Sequence, residues 1–185
     1  MGRQRRPRHS IPRDAQLTAA VARARHGSEE GFKTVYRTLH PALLGYLTAR
    51  LGDDDRAAEA ASALWREIAY GVFTFQGDGA DFRAWAASLA RRQVRHHPRP
   101  GPAGARAGGT DNARRVLSAL PPDLAETLLL REVVGLDDAA AARVLGTTAA
   151  SVQTAADHAA RLVADCLASR PKPDGPDTEM ACAWC

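Results

Sequence analysis

Between Pro98 and Thr110 the chain reads PRPGPAGARAGGT, thirteen residues of which ten are Gly, Ala or Pro and none is large and apolar. Such a stretch cannot bury enough surface to offset the entropy of ordering it, so 98–110 is predicted to be a flexible linker. It divides the 185-residue chain into two blocks, 28–97 and 111–169, each the size of a small domain. Residues 1–27 are then expected to form a basic N-terminal extension, and 170–185 a disordered tail.

Both blocks show helical spacing of apolar residues, and no alternating run is long enough for a strand. In the first block, Ser28 is placed to cap a helix carrying Phe32, Val35, Tyr36 and Leu39. Pro41 is expected to open a second helix, with Leu44, Leu47 and Leu51 on one face and Gly52 closing it. Asp53 to Asp55 supply the cap of a third, whose stripe is Ala61, Leu64, Trp65, Ile68 and Val72. A loop over Gln76 to Ala80 leads to a fourth, with Phe82, Trp85, Ala86 and Leu89 on one face and a basic end before Pro98. In the second block, Val116, Leu117 and Leu120 mark a short helix. Pro121 and Pro122 open another, carrying Leu124, Leu128 and Leu129. Asp137 caps a short helix to Leu145, and a long one runs over 149–168. Its expected buried face is Val152, Ala155, Ala156, Ala159, Leu162, Val163 and Cys166. The predicted fold class is all-α, two small helical domains joined by a flexible Pro/Gly/Ala linker, the second containing a helix-turn-helix.

The net charge of +4 is unevenly spread. Residues 1–27 carry +6 and 91–109 carry +5, while 28–90 and 110–170 carry −3 and −2. Two short basic segments of this kind suit contact with a polyanion. No apolar run approaches the roughly eighteen residues of a membrane span, so no membrane insertion is expected. No apolar stretch follows the N-terminal arginines as a secretion signal would require, and the three cysteines form no disulfide framework, so a cytoplasmic setting is expected. There is no catalytic pair, phosphate loop or complete metal set. The chain is therefore not expected to be an enzyme, nor to need a cofactor, metal or small-molecule substrate. Cys182-Ala183-Trp184-Cys185 offers a dithiol, or two of the about four ligands of a structural zinc, which leaves a thiol or metal enzyme built on the tail as a remote reading.

Two constellations point to nucleic acid. The first is a helix-turn-helix over 138–157, with Ala142 small where two helices touch, Gly146 in the turn, and Val152 locking the second helix. An ordinary pair of packed helices would have the same spacing. The second is Phe75-Gln76-Gly77-Asp78-Gly79-Ala80-Asp81-Phe82-Arg83-Ala84-Trp85, followed by Ala90-Arg91-Arg92. Aromatic rings can stack on unpaired bases while guanidinium groups hold phosphates. Equally, Phe82 and Trp85 can be plain core and the arginines merely solvated.

These constellations, in this order and separated by a loose linker, resemble the extracytoplasmic-function sigma factors of bacterial RNA polymerase. FQGDGADFRAWAASLARR resembles the end of the first conserved domain of that family, and Ala57-Ala58-Glu59-Ala60-Ala61-Ser62-Ala63-Leu64-Trp65 the helix before it. LSALPPDLAETLLLREVVGLDDAAAARVLGTTAASVQTAADHAARL resembles the second conserved domain. The resemblance implies that 28–97 is a region 2-like domain and 111–169 a region 4-like domain. Glu59, Ser62, Trp65 and Arg66 would meet core RNA polymerase. Phe75, Gln76, Phe82, Arg83, Trp85, Arg91, Arg92 and Arg95 would face the −10 element of promoter DNA. Thr148, Ser151, Gln153, Thr154, His158 and Arg161 would face the −35 element. An anti-sigma factor is a common further partner in the family.

The sequence also departs from the family. Glu59 stands where an aspartate is usual, and Ala63 fills a neighbouring position that is usually polar. The long helix after Ala150-Ser151-Val152 has only Arg161 as a firmly charged base, and Asp157 would repel phosphate. Phosphate contacts supply much of DNA affinity, so weak −35 binding is expected unless polymerase adds to it. Two other readings stay open: a sigma-derived protein-interaction module with weakened DNA reading, and a polymerase-independent helix-turn-helix regulator that would bind as a dimer.

Overall fold

A computed structural model describes residues 10–97, 116–117 and 119–168. The expected linker over 98–110 and the tail with Cys182 and Cys185 lie outside them. Among the described residues there are helices and no strand, as the periodicity requires. In chain order they are α1 (Ser10–Arg25), α2 (Glu29–Leu51), α3 (Asp54–Gly71), α4 (Gly79–His96), α5 (Pro122–Leu128, continued by a π-helical turn over Leu129–Val133), α6 (Asp138–Leu145) and α7 (Ala149–Ala168).

Helix starts are set by short polar side chains. Ser28 accepts from the Gly31 amide at 3.1 Å, Asp53 from Arg56 at 2.9 Å, Asp78 from Asp81 at 2.9 Å and Asp137 from Ala140 at 2.7 Å. Each satisfies an amide that the first helical turn leaves without a partner, worth about 1 kcal/mol. Two helices end on glycine in the left-handed region, Gly52 at φ 73° and Gly146 at φ 74°. A side chain there would meet the Cβ strain that glycine avoids.

Helix α1 corrects the reading of 1–27 as an extension. Its arginines dominate the charge count, but Leu17, Ala20, Val21 and Ala24 recur at helical spacing and are buried. That stripe lies against α2 and α4. Two glycines allow the close approach. A Cβ on Gly31 would lie 2.8 Å from the Ala24 nitrogen. One on Gly79 would run into the Asp14 carbonyl oxygen and lie 2.8 Å from the Thr18 nitrogen. The Gly79 amide donates to Thr18 Oγ1 at 2.7 Å, tying the start of α4 to α1. Gly79→Ala must therefore push backbone away from backbone. The expected loss is about 1–3 kcal/mol in urea denaturation, the usual cost of overpacking. An unchanged midpoint would mean that α1 is not seated on α4.

Pro41 does not begin a helix; α2 runs through it. An interior proline costs about 3 kcal/mol. Against that, Leu43, Tyr46, Leu47 and Leu51 beyond the proline are all buried on the same face as Val35 and Leu39. Each such side chain gains about 1.5–3 kcal/mol, so continuing the helix wins.

The two helix sets are in contact, and one hydrophobic core runs through both. Helix α6 lies on α4, and the π-helical turn lies on α2. Leu129, Leu130, Val134 and Leu136 join the core of the N-terminal helices. Helix α7 is held by α5 and α6 through Val152, Ala156 and Ala159. Beyond Ala159 no described residue of α7 is buried. Cys166, expected in the core, is exposed because the helices packed on α7 do not bury its last turns.

Candidate nucleic-acid interface

The loop after α3 and the first turns of α4 carry three aromatic rings in mutual contact. Phe75 meets Phe82 edge to face at 4.9 Å between centroids, and Trp85 lies 5.4 Å from Phe75 and 5.2 Å from Phe82. Phe82 is 0% exposed and forms the floor of the cluster. Its expected role at the −10 element is corrected accordingly: the ring belongs to the core, and Phe75 and Trp85, each half-buried, rest on it. Gly71 makes room for the indole, since a Cβ there would lie 2.6 Å from Trp85 Cζ2. Gln76 is exposed beside them. Tyr70 and Phe73, on the same stretch of chain, are 82% and 58% exposed. Their spacing from Ile68 and Val72, which takes them off the buried stripe, was the available signal for them.

The arginines of α4 divide into two groups. Arg92 is exposed and pairs with Glu67 at 2.8 Å, and Arg95 is exposed. Arg83 and Arg91 instead turn toward other helices. Arg83 pairs with Asp14 of α1 at 2.6 Å and donates to the Val134 carbonyl at 3.5 Å. Arg91 donates from Nε to Glu126 Oε1 at 3.0 Å and from Nη1 to the Val144 carbonyl at 3.2 Å. A further pair, Arg143 with Asp81 at 3.0 Å, links α6 to the start of α4.

Glu126 is 7% exposed. Besides Arg91 it takes the Tyr46 hydroxyl on Oε1 at 2.9 Å, and Arg50 approaches Oε2 at 3.9 Å. Burial, and then the neighbouring Glu126 charge, push the Tyr46 phenol well above its ordinary range. Tyr46, Arg50 and Glu126 were not among the expected site residues. A signal for Glu126 existed: it stands four residues before Leu130 and eight before Val134, on the stripe that is buried.

On α3, Glu59, Ser62 and Arg66 are exposed, and their spacing of three and four puts them on one face. Trp65, expected with them, is only 9% exposed. Its Nε1 donates to His40 Nδ1 at 3.0 Å, and Tyr36 stacks on His40 at 4.5 Å. The indole therefore supports that face from beneath, and its placement at the contact surface is corrected. On α7 the expected residues Thr148, Ser151, Gln153, Thr154, His158 and Arg161 are all exposed. Thr148 also caps the helix, accepting from the Ser151 amide at 3.1 Å. Asp157 is exposed among them. Among the described residues, no three His, Cys, Asp or Glu side chains gather to hold a metal ion, and no helix is long and apolar enough to cross a membrane.

This is an all-α fold that presents an aromatic loop, a basic helix end and a second exposed helix behind a glycine turn. Residues 35–99 match the family described as sigma-70 region 2. The chain is similar in sequence to sigma factors of the extracytoplasmic-function type. It is 25% identical to the ECF RNA polymerase sigma factor SigD of Mycobacterium tuberculosis and of Mycobacterium bovis, over 176 residues covering 81% of this chain and 83% of theirs. In fold it is similar to CnrH, solved in complex with the cytosolic domain of CnrY, with a TM-score of 0.69 at 17% identity, covering 84% of this chain and 99% of that one. It is also similar to the sigma factor RpoE of Bartonella quintana, solved in complex with the anti-sigma factor NepR, with a TM-score of 0.61 at 17% identity, covering 76% and 98%.

Proposed function

We propose that this protein is a dissociable sigma subunit of the extracytoplasmic-function type, which binds core RNA polymerase in the cytoplasm and directs it to promoters. The sigma-70 region 2 match over residues 35–99 is the observation that carries this reading. Glu59, Ser62 and Arg66 on α3 form the polymerase-facing surface. Phe75, Gln76, Trp85, Arg92 and Arg95 meet the −10 element, joined by Arg83 and Arg91 when these are released from their internal partners. Helix α7 meets the −35 element through Ser151, Gln153, Thr154, His158 and Arg161. The protein acts by binding alone: energy gained on the opened strand offsets unstacking of a few kcal/mol per base step. The functional units are 28–97 and 111–169, joined by 98–110, and the work needs no cofactor. An anti-sigma factor is proposed as a further partner, since RpoE was solved with one.

The test is co-elution of the purified chain with bacterial core polymerase. Glu59→Arg reverses an exposed charge without touching the core, and affinity in co-elution is expected to fall about thirtyfold or more, the lower end of the about 2–5 kcal/mol that losing a paired interface charge costs. Equal co-elution of both forms would remove the α3 assignment. The exposed Asp157 and the single firm base Arg161 on α7 favour a second reading, a polymerase- or partner-binding module with weakened DNA reading. Co-elution without promoter-directed transcription is the outcome that reading requires.

A further inference from the structure

Tyr46 and Arg50 stand one turn apart on α2, and Arg91 projects from α4 toward them. All three belong to the N-terminal helices, and they converge on one carboxylate, Glu126, from α5. The carboxylate does not use all that surrounds it. Oε1 takes both the Tyr46 hydroxyl and Arg91 Nε, while Oε2 has Arg50 only at 3.9 Å. Arg50 Nη1 reaches the Pro122 carbonyl at a long 3.5 Å, and its Nε is buried with no acceptor among the described residues. The site therefore presents more donors than two oxygens satisfy. Guanidinium groups accept carboxylate and phosphate in the same planar geometry, and a phosphate brings more oxygens. Glu126 is also the one group of the cluster that comes from the C-terminal helices, so parting the two sets would leave Tyr46, Arg50 and Arg91 together and empty-handed.

We propose that Tyr46, Arg50 and Arg91 form a phosphate site for single-stranded DNA, filled by the Glu126 carboxylate while the helix sets are closed and by the backbone of the opened strand when they part. Glu126 is thus an internal stand-in for the nucleic acid. Arg95, exposed and one turn beyond Arg91 on the same helix, gives a strand lying along the end of α4 a second positive charge next to the site, while Arg92 pairs with Glu67 of α3. The identity of the strand rests on the sigma-factor reading; the exchange of carboxylate for phosphate does not.

The experiment uses the full chain, without polymerase, so that its failure is distinct from a failure to bind polymerase. A fluorescein-labelled single-stranded oligodeoxynucleotide of mixed sequence is titrated by anisotropy over a salt series. Glu126→Gln keeps the shape and the Tyr46 bond but removes the competing charge. A closed form that masks the site lowers apparent affinity by the open fraction, so this variant is expected to bind about tenfold tighter. Adding Arg50→Ala should abolish the gain and make the salt dependence shallower by about 0.7, one phosphate contact on a single strand. Equal binding by the wild type and Glu126→Gln overturns the proposal, as does a gain that survives Arg50→Ala. Far-ultraviolet circular dichroism checks that the variants keep their helices. If Glu126→Gln does not, Arg50→Ala alone decides: weaker binding with a shallower slope supports the site, and unchanged binding overturns it.

Discussion

Removing residues 1–27 is expected to cost at least about 3 kcal/mol of stability, because two large side chains of α1, Leu17 and Val21, are buried and each contributes about 1.5–3 kcal/mol. The true loss is greater, since the faces of α2 and α4 beneath α1 become exposed and the Asp14 pair with Arg83 is lost. Urea denaturation of the truncated chain checks this. The control is Arg23→Gln with Arg25→Gln in the full chain, which removes charge from an exposed face and should stay within about 0.5 kcal/mol. A truncated chain as stable as the intact one would return 1–27 to the status of an appendage.

Phe82→Ala is the second large effect, with about 3–5 kcal/mol expected for a fully buried phenylalanine. Phe75 and Trp85 lose their floor, so promoter opening should fall as well, but as a consequence of collapse. Phe82→Leu separates the two effects. It refills most of the volume and should restore both the denaturation midpoint and opening. Opening that stays lost in Phe82→Leu while stability returns would show that the ring itself meets the DNA.

The parts of this fold that could be read in the sequence are those decided within a few residues of chain. Ser28, Asp53 and Asp137 cap where they were expected to, because a cap is a contact across three residues. The stripe Ala61, Leu64, Trp65, Ile68 and Val72 is buried as its spacing requires. What misled was competition between local signals and distant contacts. The arginines of 1–27 concealed a stripe of only four residues, three of them small or β-branched. Pro41 signalled a helix start, and burial on both sides of it overrode the signal. Glu126 was not singled out, because helical phase can mark it as buried but not name its partners, which are 35 and 80 residues away. The candidate site divides in the same way. The exposed residues of α7 follow from helical phase, whereas the removal of Arg83 and Arg91 from the surface depends on how the two helix sets meet.

The Tyr46 phenol has a consequence for what can open the closed form. Its folded-state value is raised above the ordinary 10.0, first by burial and then by Glu126. A group raised in this way contributes its full stabilisation below its unfolded value and loses it progressively as pH climbs from there through the folded one. The phenol's share in the clasp is therefore complete up to the ordinary tyrosine range, and an alkaline drift that stays below it does not weaken that bond. On the exchange proposed above, what releases it is an anion that competes with Glu126 for the two arginines, so the device answers to the molecules the protein meets.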